Sequence, residues 1–307
     1  MSEAVFLNYT QAELDRAYDQ RAWAANAERV IASYGEISRQ VKARYPFKTE
    51  HYGSGADETL DIFPPVMAAG AGASAAANGK VGAPVHVFVH GGAWQSRVTK
   101  DESAFGAPAF VENGAAYVAL DFACIPKVRL PDMADQCRRA IVWIWRNAWR
   151  FGGDHKRIHL SGHSSGGHIA AVLLTTDWKA LGLAESPLRS GLCASGMYDL
   201  GPVLLSARSS YVKIDKAEED ALSPMRHLER VTCPIAVVYG DGETPEFKRH
   251  ARDFAAGLKA KVRASSTLAE GKNLNHFELA LTLGQPDGVL GKIALGQIFG
   301  DAKRSHT

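Results

Sequence analysis

A serine stands between glycines in Gly162-His163-Ser164-Ser165-Gly166-Gly167, a match to G-x-S-x-G. The flanks say more than the pattern does. His159-Leu160-Ser161 reads as a strand and residues 169–174 as a buried helix. A strand that turns sharply into a helix lifts its central side chain above the sheet, at the positive end of the helix dipole. Gly162 and Gly166 let the chain pass through so tight a turn. A serine held this way suits nucleophilic attack on an amide or ester carbonyl.

Such an attack needs donors for the oxyanion. His90-Gly91-Gly92-Ala93-Trp94 follows the apolar strand Val85-His86-Val87-Phe88-Val89. Its glycines free backbone N–H groups to meet a substrate oxygen. In a nucleophile elbow one donor comes from the residue after the nucleophile and one from this loop. The donors are therefore Ser165 and either Gly91 or Gly92, each typically worth about 3 kcal/mol in the transition state.

The serine also needs a base, and the base an acid to orient it, in the chain order Ser, Asp or Glu, His. Of the late histidines, His306 sits in a polar tail, His250 inside a helix, and His227 ahead of a strand. His276, in Asn273-Leu274-Asn275-His276-Phe277-Glu278, falls in a loop after the last strand and is the expected base. The acid should follow the strand Ile235-Ala236-Val237-Val238-Tyr239, where Asp241 and Glu243 both qualify by spacing. Glu246 reads as a residue of the next helix's first turn.

Other chemistries fit less well. His155, His159, His163 and His168 cluster in number, but no His-Glu-x-x-His or cysteine-rich ligand spacing accompanies them, so no metal site and no cofactor are expected. The four cysteines, Cys124, Cys137, Cys193 and Cys233, show no Cys-x-x-Cys spacing and read as buried thiols of a reducing compartment, the cytoplasm. Val142, Trp145 and Trp149 recur at helical spacing and read as core packing rather than a stacking platform.

The elements that must position these groups follow from periodicity. Residues 47–63 suggest a β-hairpin, and residues 115–122, 158–162, 192–195, 235–239 and 262–268 further strands. Residues 101–113, 131–150, 165–175, 245–260 and 276–283 suggest helices. Strands alternating with helices imply an α/β fold with a mainly parallel sheet covered on both faces. Residues 9–34 form one or two helices ahead of it, opened by a Thr10/Glu13 capping box; they serve as a lid or simply cover the sheet. Residues 67–83, rich in Ala and Gly, read as a surface insertion.

Composition agrees. The 307 residues are 46% hydrophobic and 22% charged, with a formal net charge of +2. That excludes disorder, coiled coil and a disulfide scaffold, and no basic stripe points to nucleic acid. No stretch reaches the ~20 apolar residues of a membrane span, and no signal peptide is visible. The expected partner is a small molecule.

His-Gly-Gly-x-Trp combined with this elbow resembles the kynurenine formamidase (arylformamidase) branch of the α/β-hydrolases, near the hormone-sensitive-lipase-like esterases. Lys100-Asp101, Pro126-Lys127-Val128, Leu130-Pro131, Ser195-Gly196-Met197-Tyr198-Asp199-Leu200, Leu222-Ser223-Pro224, Thr244-Pro245-Glu246-Phe247 and Asn275-His276-Phe277 fit the same family, as does the stretch 9–21. The resemblance spans nearly the whole chain. It implies an α/β-hydrolase catalytic domain over residues 47–307 behind an N-terminal helical extension, residues 1–46. It also implies that Glu243, which precedes a Thr-Pro-Glu-Phe run, is the acid, with Asp241 as fallback. Glu in place of the vertebrate-like Asp, and the Ala/Gly insertion, are departures from the family pattern. The implied enzyme is a cofactor-free serine hydrolase with Ser164, Glu243 and His276 as its triad, cleaving N-formylkynurenine or a similar N-formyl aryl amide, with a homodimer compatible with the resemblance. A carboxylesterase, or a silent protein on the same fold, is the alternative. Trp94 and Tyr198 are pocket candidates, and Arg97, Arg129 and Arg208 are candidate cations for a substrate carboxylate.

Overall fold

The computed structural model describes residues 3–66, 82–95, 98–262 and 264–300. The Ala/Gly-rich stretch up to residue 81, and Arg97, lie outside the described residues. Eight strands form one sheet in the order β1-β2-β4-β3-β5-β6-β7-β8. They are β1 (Lys48–His51), β2 (Thr59–Phe63), β3 (Ala83–Val89), β4 (Ala116–Leu120), β5 (Gly153–His163), β6 (Leu188–Ala194), β7 (Ile235–Gly240) and β8 (Ser266–Gly271). β1 and β2 pair antiparallel, and β2 runs antiparallel to β4. From β4 to β8 every pairing is parallel.

The alternation along β3 shows why the sheet is covered on both faces. Val85, Val87 and Val89 pack into one core, and Phe88 into the other. Against the first lie α4 (Leu130–Asn147), α5 (Ser165–Leu174) and α8 (Pro245–Lys261). Against the second lie α2 (Ala27–Arg44), α3 (Ala107–Val111), α9 (His276–Leu281) and α10 (Val289–Phe299). All ten residues of α5 are buried, because it passes under the middle of the sheet. α1 (Gln11–Ala17) begins as expected, with Glu13 accepting from the backbone N–H and hydroxyl of Thr10. α6 (Leu200–Leu205) and α7 (Lys216–Ala221) follow β6.

Two expectations need correction. On α4 the buried face is Met133, Ala134, Cys137, Ala140, Ile141 and Ile144, and Trp149 is 73% exposed. Its place just past the helix, in a short 3-10 turn, takes it off the stripe. The last strand also starts later than its apolar run suggested, at Ser266, because residues up to 261 remain in α8. The four cysteines are buried and free.

Candidate active site

Ser164 sits between β5 and α5 with φ 59° and ψ −126°, a left-handed conformation that a non-glycine residue holds only when its surroundings enforce it. Its N–H donates to the Ala194 carbonyl at 2.9 Å, which ties the turn to β6. The flanking glycines are obligatory. A Cβ on Gly162 would lie 2.1 Å from the Gly166 carbonyl oxygen, and one on Gly166 would lie 2.2 Å from that of Val89.

The His276 Nε2 lies 2.9 Å from the Ser164 Oγ. His276 opens α9, whose N-cap is Asn275. The Asn275 Oδ1 accepts from the N–H groups of Phe277 and Glu278 at 3.0 and 3.1 Å, and the Glu278 carboxylate accepts from the Asn275 N–H at 3.1 Å. This reciprocal cap fixes the start of the helix and so the base of the imidazole. From the other side, the His163 Nε2 donates to the His276 carbonyl at 2.8 Å. His163 is wholly buried, and desolvation holds its pKa well below the ordinary histidine value, so the ring is neutral.

The His276 Nδ1 faces the Glu243 Oε2 at 3.6 Å. Both atoms are buried and neither has another hydrogen-bond partner among the described residues. The other carboxylate oxygen of Glu243 is taken: the Ser195 hydroxyl and, at 3.0 Å, the Gly240 N–H donate to it. Of the two acids that spacing leaves open, Glu243 therefore stands opposite the imidazole. Asp241, half-buried, instead accepts from the Leu274 N–H at 3.2 Å and braces the loop that leads to His276. Catalytic hydrogen bonds are often long before substrate binds, so 3.6 Å suits an orienting acid.

The loop after β3 passes close to Ser164: a Cβ on Gly91 would meet the Ser164 Cβ at 3.1 Å. Gly92, Ala93 and Trp94 all have positive φ. The His90 Nδ1 donates to the Gly91 carbonyl at 2.8 Å, and its ring stacks on Phe122. The N–H groups of Gly91, Gly92 and Ser165 donate to no protein acceptor among the described residues. They are free for a ligand oxygen.

A cavity of about 720 Å³ opens over these groups, a volume suited to a small organic molecule. Ser164, His276, Gly91 and Gly92 line it, and so do Tyr18, Gln20, Ile31 and Tyr34 of the N-terminal segment. Trp94 and Tyr198 do not line it, contrary to the expectation that they would wall a pocket. Trp94 is 1% exposed and donates to the His168 Nδ1 at 3.2 Å. Tyr198 is equally buried, stacks on Phe254 and donates to the Cys193 carbonyl at 3.0 Å. Both are rings with a polar atom satisfied inside the core.

The histidines that cluster in number have separate partners: His159 bonds the Ser190 hydroxyl and His168 the Leu222 carbonyl. Among the described residues no three His, Cys, Asp or Glu side chains converge as a metal would require. No helix among them is long and apolar enough to cross a membrane. Sequence reading gave Ser195, the residue just after β6, no role, because only sheet order brings the ends of β6 and β7 together.

The chain is similar to known hydrolases in sequence and in fold. A family model described as BD-FAE matches residues 74–184. Kynurenine formamidase of Salmo salar is 29% identical over 87% of this chain and 89% of its own length. The esterase LipQ of Mycobacterium tuberculosis is 29% identical over 66% of this chain and 52% of its own. The crystal structure of a proposed thioesterase from a Silicibacter species superimposes with a TM-score of 0.71 at 26% identity, covering 92% of this chain and 99% of that one. The chain has the α/β-hydrolase fold, and it is similar in sequence to kynurenine formamidases and to esterases.

Proposed function

We propose that this α/β-hydrolase is a serine hydrolase that cleaves a small aryl amide, an arylformamidase acting on N-formylkynurenine or a close N-formyl analogue. The observation that carries the reading is the 2.9 Å contact between the His276 Nε2 and the Ser164 Oγ at the floor of the cavity, with Glu243 behind the ring. His276 takes the hydroxyl proton as Ser164 attacks the carbonyl. The N–H groups of Ser165 and of Gly91 or Gly92 meet the oxyanion, and Glu243 stabilises the imidazolium that forms. His276 then gives the proton to the leaving amine, and a water it activates releases formate from the acyl-enzyme.

Two observations favour the formamide. The salmon relative matches 87% of the chain, and the wall over Ser164 comes from the N-terminal helices and the Gly91-Gly92 loop, around a cavity large enough for an aromatic leaving group. The esterase likeness supports a second reading, hydrolysis of small carboxylic esters by the same groups. A side-by-side assay of N-formylkynurenine and p-nitrophenyl acetate separates the two: formamide turnover well above background is expected, and ester turnover alone would sink the formamidase reading. A fluorophosphonate should label the wild-type chain and leave Ser164→Ala unlabelled. An unlabelled wild type would overturn the serine mechanism itself.

A further inference from the structure

We infer that Arg208 is the receptor for a carboxylate carried by the substrate, so that the cavity selects anionic over neutral acyl compounds. The inference rests on the reading of the cavity as a substrate site. Among the described residues, three arginines line that cavity: Arg16, Arg21 and Arg208. Arg16 is exposed and lies over the Trp23 ring, 5.8 Å from its centroid. Arg21 is exposed and paired with Glu28 at 2.5 Å. Arg208 alone of the three is partly buried.

Its guanidinium is held in place but not neutralised. One terminal nitrogen donates to the Tyr211 hydroxyl at 2.8 Å and the other to the Tyr18 carbonyl at 2.7 Å. Behind it stands Trp94, its ring centroid 5.8 Å from the guanidinium carbon. These contacts use two of the five N–H donors of an arginine. Among the described residues the buried Nε has no hydrogen-bond partner, and no carboxylate lies within ion-pair distance of the group. A positive charge taken partly out of water without a counter-ion is costly unless a ligand supplies one.

None of the acids of the cavity wall forms an ion pair with Arg208, and each accepts from a backbone N–H. Asp15 accepts from the Ala207 N–H at 2.6 Å, Asp19 from the Arg21 N–H at 3.1 Å, and Glu102 from the Thr99 N–H at 2.8 Å. A planar fork with free donors, anchored on a tryptophan, matches a carboxylate.

The test uses Ser164→Ala, so that binding is read without turnover, and two probes, 4-oxo-4-phenylbutanoate and its primary amide, by calorimetry. With Arg208 present the carboxylate should bind roughly 10- to 100-fold tighter than the amide, the range for a charged hydrogen bond. Adding Arg208→Met should bring the ratio to about 1 while the amide's Kd moves less than about threefold, and Arg208→Lys should recover part of the preference. A ratio that survives Arg208→Met, equal weakening of both probes, or no binding of either would overturn the assignment. Fluorophosphonate labelling of wild type judges the hydrolase reading separately.

Discussion

The Ser195 hydroxyl donates to Oε1 of Glu243, and the oxygen left over on that carboxylate, Oε2, faces the His276 Nδ1 at 3.6 Å. One carboxylate oxygen is thus clamped so that the other can serve the ring. Ser195 is wholly buried and holds a left-handed φ of 53°, so the backbone is strained to place this one hydroxyl. Ser195→Ala should lower kcat by roughly tenfold, the worth of a hydrogen bond to a charged group, with KM nearly unchanged because no substrate contact is lost. In a Glu243→Gln background the same change should cost almost nothing more. Additive losses in that double-mutant cycle would show that Ser195 acts elsewhere.

Glu243 and Asp241 give a sharper contrast. Glu243→Gln keeps the shape but removes the charge proposed to stabilise the imidazolium, and should cut kcat by about 10⁴-fold, as the equivalent change does in other triads. Asp241→Asn keeps an acceptor for the Leu274 N–H and should stay within a few-fold of wild type. Steady-state kinetics on both variants, with thermal melts as a folding check, decides between them. The reverse ranking would move the acid role to Asp241.

These residues differ in how far they could be read from the chain alone. The elbow was legible because its constraints are local: Gly162 and Gly166 exclude any side chain, and the strand and helix that force this adjoin them in sequence. His276 was legible by elimination among late histidines. Between Asp241 and Glu243, spacing says nothing, since both lie on one short turn, and it takes the tertiary position of the imidazole to separate them. Ser195 and the N-terminal wall of the cavity depend on which strand ends and helices become neighbours across the fold. Trp94 misled because a large aromatic beside a glycine loop suggests a pocket wall, whereas its indole N–H has a buried partner in His168.

That partner carries a pH dependence. His168 accepts from the Trp94 indole at Nδ1 and donates from Nε2 to the Leu222 carbonyl at 2.7 Å, so the fold requires the neutral ring. Burial pushes the pKa of His168 down to about 4, and that of His159 to about 4 as well. Desolvation likewise holds His86, His163 and His250 well below the ordinary value. In the unfolded chain these rings bind protons near the ordinary histidine pKa, about 6.5, so between there and about 4 the unfolded state holds more protons. Stability is therefore full above pH 6.5 and falls as pH drops toward 4, by up to about 3 kcal/mol for His168 alone. Thermal melts from pH 8 to pH 5 should show Tm falling across the lower half of that range. His168→Gln should be less stable at pH 8 and less sensitive to acid. A flat Tm between pH 7 and 5 would contradict the account.

The N-terminal segment also grips the residues on either side of His276. Asn26 donates from its side-chain amide to the Glu278 carboxylate at 2.7 Å and accepts from the Asn275 amide at 2.7 Å. Both partners belong to the reciprocal cap that opens α9 at His276. Tyr34, from the same segment, donates to the Phe277 carbonyl at 2.6 Å. Helices that line the cavity thus also grip the turn carrying His276, so, on the proposed mechanism, loosening them should disturb catalysis and not only access. Asn26→Ala removes both hydrogen bonds and should cost about 1–2 kcal/mol of stability and several-fold in kcat. Asn26→Asp keeps the acceptor for Asn275 but sets a carboxylate against that of Glu278, and like charges at that range repel. It should therefore be worse than alanine at neutral pH. Thermal melts and kcat for the two variants check the ranking. If Asn26→Asp equals wild type throughout, the amide does not bridge the N-terminal segment to α9.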